Sequence, residues 1–102
     1  MTLKLGVLAL LKAKPGSENE LAAFLESGGK IVADEPATRT WYAFQVDDNT
    51  FGIFDTFEDE AGRQEHLNGK IPAALGEVGD SLLADAPDIR LTNILAVKDG
   101  SY

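Results

Sequence analysis

The chain has no cysteine, which excludes disulfides, thiolate nucleophiles and cysteine-held metals at once. Histidine occurs once, so no histidine pair is available to hold a metal. No Gly-rich phosphate loop is present either. The protein is therefore expected to work with no cofactor. Basic residues are scarce: nine Lys and Arg stand against seventeen Asp and Glu, for a net charge of −8. They form no stripe or cluster, so nucleic acid is excluded as an expected partner, and the acidity reads as solubility. No apolar run approaches the roughly 20 residues that span a bilayer. The opening MTLKLGVLALLKAKPG has a short apolar stretch followed at once by basic residues, with no small-residue cleavage site. It reads as a strand, not a signal sequence. A cytoplasmic protein without membrane association is expected.

What is present suits one domain over residues 1–102. The hydrophobic share is 44%, enough for a packed core. A chain of this size buries roughly 60–70% of its unfolded surface, so a second subunit would add stability.

Periodicity places the elements. Leu3 to Ala13 alternates as a strand, with Leu5, Val7, Ala9 and Leu11 on one side, yet Leu8 and Leu10 make the other side apolar too. Such a strand is covered on both faces. Pro15-Gly16 breaks it, and Ser17 with Glu20 has capping-box spacing. Leu21, Phe24 and Leu25 then recur at helical spacing. Gly28-Gly29 predicts a kink or an end, and Glu35-Pro36 stops the helix in any case. Thr40 to Asp47 and Thr50 to Phe57 form a hairpin across the turn residues Asp47-Asp48-Asn49. Asp59 or Glu60 opens a short helix through His66 and Leu67, a second helix runs from about Ile71 to Leu83, and Ile89 to Val97 is the last strand.

The order β-α-β-β-α-β predicts an α+β, ferredoxin-like fold: a four-stranded antiparallel sheet with helices on one face and the first and third strands central. Helices cover only one face. The apolar second face of the first strand therefore predicts a homodimer packed sheet to sheet.

With these elements in place, the chain resembles the antibiotic biosynthesis monooxygenase family of dimeric α+β barrels. The resemblance spans nearly the whole chain and rests on LKAKPGSENEL, on the tryptophan-bearing strand RTWYAFQ, and on FGIFDTFEDEAGRQEHL. The last has an acid in an apolar strand, an acidic turn, an alanine, and a histidine followed by leucine. Relatives commonly carry glutamate where this chain has Asp55. The resemblance implies an oxidase of small aromatic or quinol-type molecules that uses no metal or flavin. Haem-degrading relatives carry an asparagine on the first strand, which KLGVLALLKAK lacks, so haem is not expected.

Two residues carry the chemistry of that reading. Asp55 shares the strand side of Phe51, Ile53 and Phe57, and a buried carboxylate must be paired, hydrogen-bonded or protonated. It is either a structural acceptor or the orienter of His66. An imidazole with an unperturbed pKa near 6.5 suits proton transfer from a phenol or hydroquinone. Trp41 and Tyr42 point to opposite sides of their strand, so at most one enters any cavity. Phe44, Phe54, Leu8 and Leu10 share the side of Tyr42, which predicts an apolar pocket for a flat ligand between sheet and helices. Arg63 is either a solvated helix residue or a contact for an anionic substrate. Two other readings stay open: a non-catalytic small-molecule-binding or stress-associated dimer, and a cofactor-free isomerase or lyase using the same residues.

Overall fold

A computed structural model describes residues 3–98. It contains β1 (Leu5–Lys12), α1 (Glu18–Val32), β2 (Thr40–Gln45), β3 (Thr50–Phe57), α2 (Glu60–Leu67), α3 (Lys70–Leu82) and β4 (Asp88–Asn93). The four strands form one antiparallel sheet in the order β2-β3-β1-β4. The helices pack on one face, giving the ferredoxin-like fold that the element order predicts.

Register sorts the side chains. Val7, Ala9, Leu11, Phe51, Ile53 and Phe57 face the helices and are buried with Leu21 and Leu25 of α1 and with Ile71, Leu75 and Leu82 of α3. The other face carries three rungs across the sheet. Thr40, Thr56, Gly6 and Thr92 make the first; Tyr42, Phe54, Leu8 and Arg90 the second; Phe44, Gly52, Leu10 and Asp88 the third. Among the described residues no helix covers this face, and Tyr42 is 60% exposed there.

Three local expectations are corrected. Helix α1 runs unbroken through Gly28-Gly29 to Val32. The glycines serve close packing: a Cβ on Gly28 would stand 3.1 Å from the Trp41 ring, so the helix rests directly on the indole. Ser17 makes no side-chain capping bond; Glu18 instead accepts from the Gly16 N–H at 2.9 Å. Finally, β4 ends at Asn93, not Val97, because its partner Leu5 is the first residue of β1. Beyond that, the Ile94 N–H still donates to the Lys4 carbonyl.

Candidate functional site

Asp55 sits in the central strand β3 on the helix-facing side and is 1% exposed. A carboxylate taken that far from water needs a partner, and α2 supplies it. The Asp59 side chain accepts from the Gly62 N–H at 2.8 Å and starts the helix. A Cβ on Gly62 would stand 3.4 Å from Ala37, so the absent side chain lets α2 lie close against the loop after α1. His66 then projects inward and is 5% exposed.

Its Nε2 lies 2.9 Å from Asp55 Oδ2 and its Nδ1 lies 2.8 Å from Glu35 Oε1. The structure therefore joins the two residues singled out in the sequence and adds a third. Glu35 is held by the turns that follow α1: its N–H donates to Val32, and Thr38 N–H donates to its carbonyl. The Thr38 hydroxyl donates to Glu35 Oε1 at 2.9 Å and lies 3.3 Å from His66 Nδ1. The Phe57 ring centroid is 5.4 Å from that of His66, within range of a cation–π contact.

Only imidazolium donates from both ring nitrogens, and carboxylates stand at both. Burial pushes the His66 pKa down, but the hydrogen bonds and charges of Asp55 and Glu35 outweigh it and hold the pKa above its usual value. The carboxylates lie at opposite ends of the ring and cannot converge on one ion. Among the described residues, no group of three His, Asp or Glu side chains is placed to hold a metal.

A cavity of about 170 Å³ opens beside this cluster, walled by Ile31, Glu35, Ala37, Thr38, His66 and Lys70. Trp41 is partly buried against the core on the helix-facing side. The other predicted substrate contacts lie elsewhere. Tyr42, Phe44, Phe54, Leu8 and Leu10 stand on the open face, so the expectation that they line a pocket between sheet and helices is corrected. Strand alternation had grouped them correctly, but the group faces away from the helices. Tyr42 and Phe54 border a separate groove of about 220 Å³ with Thr40, Thr56, Ile94 and Val97.

Arg63 is neither solvated nor free for an anion. It is 7% exposed. Its Nε and Nη2 donate to Glu60 at 2.8 and 2.7 Å, and Nη1 donates to the carbonyls of Gly6 and Thr92 at 3.3 and 3.1 Å. It ties α2 to β1 and β4. Sequence reasoning missed Glu35 and Thr38. Glu35 is 31 positions from His66 and precedes a proline, so in the sequence it marks only the end of a helix.

A protein of unknown function from Nitrosomonas europaea is 46% identical to this chain, with 94% of this chain and 93% of that chain covered and a TM-score of 0.92. A structure from Caulobacter crescentus, named as a candidate antibiotic biosynthesis monooxygenase, is 20% identical over 92% of each chain, with a TM-score of 0.77. One from Chloroflexus aurantiacus bears the same name at 18% identity, covering 93% of this chain and 96% of that chain, with a TM-score of 0.72. These last two share the fold, as the sequence resemblance implied. No family model and no curated relative matches the sequence. Among the described residues, no helix is long and apolar enough to cross a membrane.

Proposed function

We propose, for a chain that belongs to one family with the Nitrosomonas europaea protein and carries the fold of proteins named antibiotic biosynthesis monooxygenases, a cofactor-independent oxidation of small phenols or quinols. The observation that carries this reading is the Asp55–His66–Glu35 chain, which runs from a buried strand to the wall of the adjacent cavity.

His66 is the proton-holding group, Asp55 its orienter and Glu35 the group that presents the cluster to the cavity. In the neutral state, His66 keeps its Nε2 proton on the Asp55 side and leaves Nδ1 open. Glu35 takes the phenolic proton and passes one to Nδ1, restoring the imidazolium between two carboxylates. The phenolate is electron-rich enough to react with dioxygen directly. One oxygen atom joins the ring carbon, the other leaves as water, and the phenol becomes a quinone. Among the predicted contacts, Trp41 is the cross-strand partner of Asp55.

Oxygen uptake over a panel of phenols and hydroquinones tests the reaction. His66→Ala and Glu35→Gln should each lower turnover by about 10²–10⁴-fold. Turnover in the native protein should rise with pH as His66 loses its proton. A pH-independent rate, or full activity in His66→Ala, rules the relay out.

A second reading has an observation of its own. Both ring nitrogens of His66 are engaged by internal carboxylates, an arrangement that also suits a binding protein whose cluster is structural. Ligand binding without oxygen uptake or substrate turnover selects that reading; turnover without oxygen selects an isomerase or lyase.

The homodimer belongs to the same proposal. Leu8, Leu10, Phe44, Phe54 and the exposed Tyr42 make the helix-free face apolar, and a second sheet is its natural cover. Sedimentation at micromolar concentration should give twice the chain mass, and a monomer there rejects it.

A further inference from the structure

The charged side chains that wall the cavity beside His66 are Asp34, Glu35, Glu65, His66 and Lys70. Two of these carry positive charge, and they differ in how it is used. The imidazole gives both ring nitrogens to Asp55 and Glu35, so its charge is already answered inside the protein. Lys70 is not: among the described residues no acid pairs with it. It is also the first residue of α3, whose N-cap is Gly69 and whose first turn holds no acid. A cation there meets the positive end of the helix dipole, at a cost of about 0.3–1 kcal/mol. A local rule broken at a cavity wall is a mark of function.

Glu35 lies against this start of α3. Its Oε1 is taken by His66 and Thr38. Its other oxygen, Oε2, would stand 3.8 Å from a Cβ on Gly69. A phenol that meets Glu35 from the cavity therefore brings its own oxygen to the neighbourhood of Lys70. Once the proton has passed to Glu35, that oxygen is an anion in a cavity whose other free charges, on Asp34 and Glu65, repel it. An anion so placed forms only if a cation holds it.

We propose that Lys70 holds the phenolate: its ammonium donates to the ligand oxygen as the phenolic proton leaves for Glu35, so the cavity selects aromatic ligands with an ionisable hydroxyl. The assignment rests on the reading above in placing a phenol at Glu35, and on no step that involves oxygen. The ammonium keeps its own protons throughout; the one proton that moves goes from the ligand to Glu35. Lys70 is exposed, so replacing it should spare the fold.

The experiment follows the ionisation of bound phenol by the absorbance of its phenolate as pH is raised, with toluene-loaded protein as the blank. Free phenol ionises near about pH 10, as tyrosine does. In the native protein the bound ligand should ionise about one to two pH units lower, the shift that one hydrogen bond to a charged group supplies. Lys70→Met should abolish that shift, and Lys70→Arg, charged over the whole range, should keep most of it. Toluene has no proton to lose, so its affinity by calorimetry should be the same in all three proteins. Bound phenol that ionises as the free ligand does, or an equal shift in Lys70→Met, overturns the assignment. A toluene affinity that falls with Lys70→Met overturns it too, since the side chain would then shape the cavity and not hold the anion. A lysine-dependent shift without oxygen uptake would sink the oxidase reading and leave Lys70 as the anion-holding group.

Discussion

Where Ala9, Leu11, Phe51 and Ile53 line the sheet, α1 and α3 rest on hydrocarbon; where Val7, Asp55 and Phe57 line it, α2 is fixed by charged groups. The first end is an ordinary core of buried aliphatic and aromatic side chains. The second has no such cover from its helix: α2 spans eight residues, and those it buries are Gly62, Arg63 and His66. A helix that short is marginal by itself, and this one buries no apolar side chain. Arg63 and His66 supply the attachment instead, one to backbone carbonyls of two strands and the other to two carboxylates. Hydrophobic burial is non-directional and indifferent to pH. Ion pairs are directional and titrate. One sheet thus carries a pH-indifferent end and a pH-sensitive end, and the cavity lies at the second.

The largest effect expected is at the charged end. Asp55→Ala strips a buried pair of one partner and should cost about 3–5 kcal/mol in denaturant unfolding. The double change Asp55→Asn with His66→Ala should cost less than the sum of the two single changes. Strict additivity would mean that the two residues do not act as a unit. At the apolar end, Leu21→Ala in the fully buried face of α1 should cost about 2–5 kcal/mol, with the same loss on either side of about pH 6.5.

Arg63→Met keeps much of the side-chain bulk but removes the charged donor to the carbonyls of Gly6 and Thr92, for about 1–3 kcal/mol. Its sharper signature is local. Amide exchange should quicken through α2 and stay unchanged in α1, and uniform quickening would show that the two ends are not separate. The smallest effect is the pH dependence itself. The folded-state pKa of His66 is raised, so its contribution is fully present below about pH 6.5 and is lost as pH rises through the folded value. Melting temperature should fall with pH over that window in the native protein and stay level in His66→Gln. A fall of the same size in both would place the titration elsewhere.

Much of this architecture was legible because it depends on local periodicity. Alternation in β1 and β3 separated Val7, Ala9, Leu11, Phe51 and Ile53 from the open-face residues, and the turn residues Asp47-Asp48-Asn49 marked the hairpin. The boundary of β4 was not legible, since a strand ends where its partner ends, and Leu5 lies far away in sequence. Gly28-Gly29 looked like a weak point in α1 because propensity sees only the missing side chains. The Trp41 ring occupies the space they leave, and packing overrides propensity there.

The candidate site divides in the same way. Asp55 and His66 were suspect in the sequence for their residue types: an acid in an apolar strand and a lone imidazole at the end of a short helix. Side-chain chemistry and strand parity, which the linear order carries, determined that Asp55 faces inward and needs a partner. Tertiary structure decided which partner, by laying α2 over β3 and the Glu35 loop against both. It also turned Arg63 from a surface cation into a buried tie and put Tyr42 and Phe54 outside the cavity expected to hold them. Alternation tells which residues share a face, but only the packed helices tell which face is inside.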